Sequence, residues 1–299
     1  MFNFFTAIVL AGLLGQSGFD FLSGVAADFA YPTAVTKPAA VARIANNSLG
    51  LKTTAKGIMV AAENSPAILY QKNPHAVYPI ASLTKLMTAL VVLDSRPDWQ
   101  KTVILAPVDQ RAGGKVYLFP GDAVTMENLF NLMLISSTNE AAAALARASG
   151  ISDFTQAMNH KAAQLGMINT TFTDPTGLEA QNVSSASDLL ILARAAFARP
   201  EIMAAVKNSQ YAFSVANSGR RISAASTDQL LGSFLNHGDY QIIGAKTGYL
   251  DEVSYCLLLQ VQKINGPVLT LVLLGTETLA DRWQEAKGLV DWTMNNYRF

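Results

Sequence analysis

The segments of this sequence with strand character lie towards its two ends, and helical segments occupy the middle. Near the start, residues 57–62 and 67–70 are short apolar runs around a turn. Near the end, residues 254–262 and 268–275 are rich in Leu and β-branched side chains and are joined through an Asn-Gly pair, a hairpin signal. This order predicts an α+β fold: one antiparallel sheet flanked by helices, with an inserted helical lobe.

Helical periodicity and capping residues predict the elements between these strands and after them. Asp, Ser, Thr or Asn before an apolar run indicates where a helix begins, and Gly after it indicates where the helix ends. The predicted helices are residues 82–93, a helix capped by Thr125 that runs to 134, residues 139–147, residues 152–166, a helix opened by a capping box of Ser185 and Asp188 that runs to 198, and residues 279–295.

Composition and charge limit the functions that this fold can carry. Half of the 299 residues (50%) are hydrophobic, and 22 basic residues balance 22 acidic ones without a long run of either sign. We expect no nucleic-acid partner, because phosphate binding requires clustered Lys and Arg. The single cysteine, Cys256, rules out an internal disulfide and a paired-cysteine metal or redox site, and its apolar surroundings predict a buried strand thiol.

The N-terminal residues have the character of a targeting segment. Residues 4–14 are apolar but too short to span a bilayer, which needs ~20 residues, and small residues after them supply a cleavage site. No Lys or Arg precedes Lys37, so an uncleaved anchor or a buried N-terminal helix is a second interpretation. We predict a signal peptide at 1–27, a linker at 28–55 and one folded domain at 56–299.

The signatures of the common hydrolases are absent from the sequence. It contains neither HExxH nor GxSxG, and the polar or loop-like surroundings of His75, His160 and His237 predict surface positions for all three histidines. A nucleophilic serine would therefore need a base other than histidine, and lysine is the obvious candidate.

Three short motifs provide a serine and a lysine together with further polar groups. They are Ser82-Leu83-Thr84-Lys85, Ser137-Thr138-Asn139 and Lys246-Thr247-Gly248, and each pattern (SxxK, SxN and KTG) occurs once in the sequence. SxxK or SxN alone is a weak signal. The three in this order, each in a suitable setting, form a strong one.

The predicted helices and strands place these motifs where their chemistry needs them. Ser82 and Lys85 lie one helical turn apart, so the amine can reach the hydroxyl. Ser82 also lies where a helix begins and free N–H groups favour a developing oxyanion. Lys246 is predicted to end a strand, and Gly248 to let an extended substrate approach the sheet edge. Taken separately, Ser82 and Asn139 could each be a simple helix N-cap.

Lys85 must lose its proton before it can act as a base. The pKa of a free lysine is ~10.4, and a working base at neutral pH needs a value of ~7–8. Burial on an apolar helix and the nearby cation of Lys246 both lower the pKa of Lys85, whereas a salt bridge would raise it. We therefore predict a buried Lys85.

Beyond the three motifs, longer stretches resemble the low-molecular-mass penicillin-binding proteins, the D-alanyl-D-alanine carboxypeptidases and endopeptidases. The likeness runs from about Gly57 to the C-terminal helix. It implies the β-lactamase/transpeptidase-like fold and makes residues 56–299 a serine DD-peptidase domain. The stretches that carry it are Tyr78-Pro-Ile-Ala-Ser-Leu-Thr-Lys, Leu118-Phe-Pro-Gly-Asp, Leu165-Gly-Met, Asp174-Pro-Thr-Gly-Leu and Ser185-Ala-Ser-Asp.

The resemblance implies a catalytic role for three side chains and an oxyanion hole. Ser82 is the residue that is acylated, and Lys85 activates it. Ser137 relays the proton towards the leaving group. The backbone N–H groups of Ser82 and Tyr249 form the oxyanion hole.

The resemblance also implies a set of substrate-binding residues. Asn139 holds the substrate peptide. Lys246 and Thr247 bind the carboxylate region of the substrate, beside Gly248. Arg282 resembles an arginine of the family near the carboxylate site, although a helix-surface arginine is an equally open interpretation.

For partners, the resemblance implies peptidoglycan peptides as substrates and β-lactams as covalent inhibitors. We expect no cofactor, no metal and no nucleic acid, and no stable membrane anchor after signal cleavage. The location that follows from an exported cell-wall enzyme is the periplasm.

Two departures from the family pattern leave the exact reaction open. Many members read SxND, whereas Glu140 follows Asn139 here, which changes the local polarity. The chain ends at Phe299, so we expect it to lack the C-terminal β domain and amphipathic helix of many carboxypeptidases. The main prediction is a D-Ala-D-Ala carboxypeptidase, and the alternative is an endopeptidase that cuts cross-links.

Two alternatives from other classes are weaker. A class A β-lactamase shares the three motifs but needs a glutamate-activated water, and residues 179–182 imitate that element with the wrong spacing. A non-catalytic sensor on the same fold is disfavoured because every motif side chain is retained.

Overall fold

The computed structural model of the protein describes residues 41–48, 50–63 and 65–299. The predicted signal peptide and residues 28–40 of the predicted linker lie outside the described residues, so both stay predictions. Within the described ranges, no helix combines the length and the apolar character that crossing a membrane requires.

A five-stranded antiparallel sheet forms the centre of the fold. The strands, in chain order, are β1 Ala42–Arg43, β2 Gly57–Ala62, β3 Ile68–Lys72, β4 Val77–Pro79, β5 Thr102–Ile104, β6 Ala123–Thr125, β7 Val183–Ser185, β8 Gln210–Ser214, β9 Arg221–Ala225, β10 Tyr240–Leu250, β11 Ser254–Lys263, β12 Val268–Thr276 and β13 Tyr297–Arg298. The central sheet has the order β10-β11-β12-β2-β3, with every neighbouring pair antiparallel. Strands from the two ends of the sequence therefore meet between β12 and β2, as the α+β prediction requires.

Six of the seven helices of the described residues lie between β3 and β10 and supply the inserted helical lobe. They are α1 Thr84–Asp94, α2 Met126–Ile135, α3 Asn139–Ala148, α4 Phe154–Leu165, α5 Ala186–Phe197 and α6 Pro200–Val206, and α7 Leu279–Asn296 follows the last long strand. The predicted helices are confirmed to within a few residues. Helix α6 was not predicted, although the proline at its first position is a helix-start signal.

The capping predictions are confirmed at the start of α2 and the end of α4, half confirmed at the start of α5, and shifted by one residue at the start of α4. Thr125 accepts a hydrogen bond from the N–H of Asn128, and Gly166 ends α4 in a left-handed conformation with a φ of 80°. Helix α4 is predicted to begin at Ser152, whereas in the structure Asp153 is its N-cap, because the carboxylate of Asp153 accepts the backbone N–H of Gln156.

The predicted capping box of α5 is only half formed. The hydroxyl of Ser185 accepts the N–H of Asp188, as predicted. The carboxylate of Asp188 does not return that bond. Instead it accepts hydrogen bonds from the N–H of Asn169 and the hydroxyl of Thr170, which ties α5 to the loop after α4.

Both faces of the sheet are covered, and this explains the continuous apolar runs of its central strands. On one face, Ile58 and Val60 of β2 and Leu271 of β12 pack with Trp283 and Leu289 of α7. The opposite faces of the same strands pack against the helical lobe, where α5 contacts β2, β11 and β12. The buried helix α1 lies in this second core, which confirms the prediction that Lys85 is buried on an apolar helix.

Residues 41–48 and 50–55, the described part of the predicted linker, are attached to the domain. Strand β1 pairs with β13, and the hydroxyl of Thr54 donates to the Glu285 carboxylate at 2.7 Å. The backbone N–H of Ala55 donates to the other oxygen of Glu285 at 3.2 Å. Contacts with the domain are therefore present on the N-terminal side of the boundary predicted at residue 56. The low periodicity of this segment does not reveal these contacts, because Glu285 lies 231 residues from Thr54 and 230 from Ala55 along the chain.

Two further features of the sheet differ from the sequence prediction. Strand β10 continues to Leu250, so Lys246 lies inside a strand and does not end it. The reason is that residues 246–250 pair in register with β11 over the whole KTG motif. The β8–β9 hairpin was not predicted, since neither strand is a continuous apolar run: exposed positions alternate with half-buried ones in β8 and with buried ones in β9.

We predict that Glu285 anchors residues 41–55 to the domain. Glu285→Ala should lower the free energy of unfolding by ~1–2 kcal/mol, because three donors of the segment lose their acceptor. Thermal denaturation measures this change, and limited proteolysis at Lys52 should become faster. The exposed neighbour Gln284→Ala is the control, and equal melting temperatures for the two variants would contradict the anchor.

Candidate active site

Ser82 lies in a tight turn immediately before α1. The turn, Ala81–Leu83, is a 3-10 helix, and Ala81 has a φ of 51°, a left-handed conformation that is uncommon for residues other than glycine. Gly177 packs directly against this turn, where a Cβ would lie 2.0 Å from the Ala81 carbonyl oxygen. The N-caps of the two helical segments are Ile80 and Leu83, so the interpretation of Ser82 as an N-cap is excluded.

The amine of Lys85 has three hydrogen-bond partners, and none of them is charged. Its Nζ lies 2.9 Å from the hydroxyl oxygen of Ser82, 2.7 Å from Oδ1 of Asn139 and 2.6 Å from the carbonyl oxygen of Thr176. Asn139 and Thr176 offer only acceptor oxygens here, so they take two N–H groups of the amine. When Lys85 is neutral, its lone pair is therefore directed at the hydroxyl of Ser82.

Burial controls the protonation of Lys85. The side chain is fully buried, and this desolvation lowers its pKa to about 7. The negative charges of Asp174 and Glu140 act in the opposite direction and limit the drop. The sequence also predicted an effect of the Lys246 cation. In the structure burial most strongly lowers the pKa of Lys246 itself, and the charges of Lys85 and Arg282 lower it further.

The carbonyl of Thr176 is held towards Lys85 by a compact loop around Asp174. One oxygen of the Asp174 carboxylate accepts the N–H groups of Thr176 and Gly177, and the other accepts the N–H of Glu179 and the amide of Asn182. Burial raises the pKa of Asp174, but hydrogen bonds outweigh it and bring the pKa below its ordinary value. The strongest of them comes from the hydroxyl of Thr176, and the bonds from the N–H groups of Glu179 and Thr176 add to it. The loop thus keeps a charged carboxylate close to Lys85 while a neutral carbonyl makes the contact.

The second motif brings Ser137 next to the second lysine. Ser137 has a φ of 61°, and its hydroxyl accepts a hydrogen bond of 2.8 Å from Nζ of Lys246. Asn139 is the first residue of α3, where Thr138 is the N-cap, so an N-cap role for Asn139 is excluded. Instead its side chain bridges the site: Oδ1 accepts from Lys85, and Nδ2 donates to the carbonyl of Gly113 at 2.9 Å.

Strand β10 passes close to the turn that carries Ser82. At Gly248, a Cβ would lie 3.0 Å from the carbonyl oxygen of Ile80 and 3.1 Å from Cβ of Ala81. The absence of a side chain therefore serves the packing of strand against turn, in addition to the predicted access for a substrate. The hydroxyl of Thr247 donates to that of Thr227 at 2.7 Å, so these two hydroxyls form a pair.

Arg282, in the first turn of α7, also lies at the site. It is only 6% exposed, lies between the rings of Tyr255 and Trp283, and donates to the carbonyl oxygen of Gly248 at 3.2 Å. Burial lowers its pKa to about 10. A helix-surface arginine is thereby excluded. Tyr249, by contrast, is half exposed, and its hydroxyl donates to Asp251 at 2.6 Å.

These residues enclose one cavity of about 580 Å³. Seven of the nine predicted site residues line it, and the two lysines lie just behind them, with Lys85 0% and Lys246 1% exposed. The predicted site residues in its lining are Ser82, Ser137, Asn139, Thr247, Gly248, Tyr249 and Arg282.

Sequence reasoning missed several residues of the site. Thr176 acts through its backbone carbonyl, which no side-chain pattern reveals, although the Asp174-Pro-Thr-Gly-Leu stretch marked its loop. Thr227 and Tyr117 also line the cavity. Neither belongs to a motif that the sequence analysis singled out for chemistry.

The other sequence candidates lie away from this cavity. His75, His160 and His237 are all exposed, as predicted, and Cys256 is a buried strand thiol. Glu179, the residue that a β-lactamase interpretation would need, is exposed and is absent from the cavity lining. Within residues 41–299, apart from the two undescribed positions, no cluster of His, Cys, Asp or Glu could hold a metal ion.

Comparison with known proteins agrees with this geometry. The chain is 33% identical over 219 residues to a D-alanyl-D-alanine endopeptidase of Pseudomonas aeruginosa (72% of this chain, 69% of the relative). It is 32% identical over 248 residues to the D-alanyl-D-alanine endopeptidase of Escherichia coli (81% and 77%). A D-alanyl-D-alanine carboxypeptidase of Mycobacterium tuberculosis, DacB2, is 31% identical over 241 residues (78% and 80%).

Solved structures with the same fold include the DD-transpeptidase of Streptomyces K15, with a TM-score of 0.75 and 26% identity over 82% of this chain and 98% of that one. Penicillin-binding protein D2 of Listeria monocytogenes, solved with cefotaxime bound, has a TM-score of 0.72 and 27% identity over 83% and 100%. Residues 42–278 match the family described as D-alanyl-D-alanine carboxypeptidase. The chain therefore belongs to the D-alanyl-D-alanine carboxypeptidase family and is a DD-peptidase with the fold of the penicillin-binding proteins.

Proposed function

We propose that this DD-peptidase works through an acyl-enzyme on Ser82, with Lys85 as the base. The observation that carries the proposal is the 2.9 Å contact between the Ser82 hydroxyl and the buried amine of Lys85, whose pKa of about 7 allows the neutral form near neutral pH. A base is most effective when its pKa lies near the working pH. The oxygens of Asn139 and Thr176 accept the two N–H groups of the neutral Lys85 amine, so its lone pair points to the Ser82 hydroxyl.

The acylation step follows from these contacts. Lys85 takes the proton of the Ser82 hydroxyl as the oxygen attacks the carbonyl carbon of the scissile amide. The N–H groups of Ser82 and Tyr249 hold the oxyanion. The leaving amine receives a proton from the Ser137 hydroxyl, which Lys246 replenishes through their 2.8 Å hydrogen bond. The C–N bond breaks. Water then attacks the Ser82 ester, and its proton passes through Ser137 back to Lys246. As the ester C–O bond breaks, Lys85 returns its proton to the Ser82 oxygen.

We propose that the carboxylate of the leaving residue binds on the side of the cavity where Arg282 lies. Arg282, Thr247 and Thr227 line this side, and the ammonium of Lys246 lies behind it. Buried cations and hydroxyl donors favour an anion in a partly desolvated site. Asn139, bonded to both Lys85 and the Gly113 carbonyl, lies where it can hold the peptide on the acyl side.

The main substrate that we propose is the D-Ala-D-Ala end of a peptidoglycan stem peptide, which makes the protein a carboxypeptidase. The alternative, cleavage of peptidoglycan cross-links, has its own support, because two of the relatives reported above are named endopeptidases. β-Lactams should acylate the same serine, because their amide resembles the bond that is cut. We further propose that the protein is exported to the periplasm, on the basis of the predicted signal peptide at 1–27.

The nucleophile can be identified by penicillin labelling. A fluorescent penicillin should attach to Ser82, and mass mapping of the adduct should find it on the peptide that contains this residue. Ser82→Ala should show no labelling, because the attacking oxygen is gone. Ser95→Ala, which changes a serine at the opposite end of α1, is the control and should label normally. An adduct on another residue would overturn the assignment.

The base can be identified by the pH dependence of acylation. The rate should rise with pH through an apparent pKa of about 7, because only neutral Lys85 accepts the proton. Lys85→Arg keeps the positive charge but cannot release its proton, so acylation should fall by ~100-fold or more. Stopped-flow labelling from about pH 5 to 10 measures both effects. A rate independent of pH, or a fast arginine variant, would show that another group is the base.

The carboxypeptidase and endopeptidase reactions can be separated with two purified substrates. A pentapeptide that ends in D-Ala-D-Ala should release D-alanine, and a cross-linked muropeptide dimer should be cut more slowly if the main proposal holds. Liquid chromatography of the products measures both rates on one enzyme preparation. A higher kcat/KM on the dimer would replace the main proposal with the endopeptidase alternative.

A further inference from the structure

Glu140, the residue that departs from the family pattern, is buried beside the cavity. It is the second residue of α3 and is 2% exposed. Its Oε1 accepts the backbone N–H of Tyr117 at 2.7 Å and that of Leu118 at 3.2 Å. The carboxylate also lies at the start of a helix, where the free N–H groups favour a negative charge.

The two N–H groups that Glu140 binds belong to one side of the cavity. We call residues 113–118 the cavity wall, because Gly113, Gly114, Lys115 and Tyr117 line the cavity. The first of them is bound by the residue before Glu140, since the Asn139 amide donates to the Gly113 carbonyl. Both ends of the wall are therefore tied to the first turn of α3.

Each backbone group at the far end of the wall has a side-chain partner. Arg220 donates to the carbonyl oxygen of Tyr117 at 3.1 Å, and Gln110 donates to that of Leu118 at 3.0 Å. Glu140 is the acceptor for both N–H groups. Loop backbone without such partners opens readily, and buried N–H groups without an acceptor are unfavourable. An aspartate at 140 would end about 1.5 Å short, the length of one carbon–carbon bond.

We propose that Glu140 is a positioning residue: its side chain holds the cavity wall at Tyr117 and so sets how the substrate lies against Ser82. The inference rests on the proposed function, because it assigns the wall to substrate binding. Glu140 has no contact with the reacting atoms and acts through the wall. The length of its side chain is the property that matters, and it is this length that distinguishes the present motif from SxND.

The charge of Glu140 gives a second effect that can be measured separately. It raises the pKa of Lys85, together with Asp174 and against the effect of burial. Two further cations belong to the site, Lys246 and Arg282: burial lowers the pKa of Lys246, and the charges of Lys85 and Arg282 lower it further. Removal of the Glu140 charge should therefore shift the rise of acylation to lower pH, whereas shortening the side chain should not.

Two variants separate length from charge. Glu140→Asp keeps the charge and withdraws the acceptor from the N–H groups of the wall. Amide exchange of the wall should become faster, and KM for the pentapeptide should rise about three- to tenfold. The pH dependence of acylation should not change. Glu140→Gln keeps an acceptor oxygen and removes the charge: exchange and KM should stay near those of the wild type, and the pH profile should shift down by ~0.5–1 unit.

Matched controls come from the neighbouring helix and from the other side of the wall. Glu127→Asp and Glu127→Gln make the same changes at an exposed position in the first turn of α2 and should leave KM, exchange and pH profile unchanged. Arg220→Met loosens the wall without touching Glu140 and should also raise KM. If Glu140→Asp does not fold, Arg220→Met still tests whether the position of the cavity wall sets KM.

Two kinds of measurement compare the variants. Hydrogen exchange by mass spectrometry reports the opening of the peptide that spans the wall, and steady-state kinetics gives KM, kcat and their pH profiles. Unchanged exchange and KM in Glu140→Asp, or an equal change in both Glu140 variants, would overturn the proposal. Failure of the proposed function looks different. In that case wild-type Ser82 would not be labelled by penicillin, while the difference in exchange between the variants would persist.

Discussion

The site depends on one lysine that is buried among uncharged oxygens. Water would stabilise the ammonium form of Lys85, and its removal is the main reason that the pKa is lowered to about 7. A carboxylate in direct contact would cancel this effect. The structure avoids that contact by placing the carbonyl of Thr176 and the amide oxygen of Asn139 against the amine. Asp174 and Glu140 act from farther away and hold the pKa at about 7.

Burial of that lysine requires three distant segments to close over one end of α1. The loop around Asp174, the start of α3 and strand β10 all meet there. The close approach explains the two glycines of the site, because a side chain at Gly177 or Gly248 would collide with the turn that carries Ser82. It also explains the left-handed backbone at Ala81 and Ser137, since unfavourable conformations persist where the surrounding packing determines them. The same closure directs the side chains into the cavity.

The sheet and its two cores supply the rigidity that this geometry needs. Strand β10 is paired with β11 along the whole KTG motif, so its position relative to the Ser82 turn is defined by backbone hydrogen bonds. On the other face of the sheet, α7 packs against the apolar residues of β12 and carries Arg282 to the cavity. Residues 41–55 in turn lie on α7 through Thr54 and Glu285. A helix far from Ser82 in sequence thus connects the site to the start of the domain.

Short-range patterns in the sequence determined the elements and the residue types of the site. The spacing of Ser82 and Lys85, the Thr125 cap and the apolar strands all reflect interactions within a few residues, so they could be predicted, along with the α+β class. Only the tertiary structure decided the contacts between residues far apart in the chain. The Thr176 carbonyl accepts a hydrogen bond from Lys85, Arg282 is buried, and Glu140 binds the N–H of Tyr117 in the cavity wall. The physical reason is that burial, and with it the pKa of a buried group, is a property of the packed chain and of no local segment.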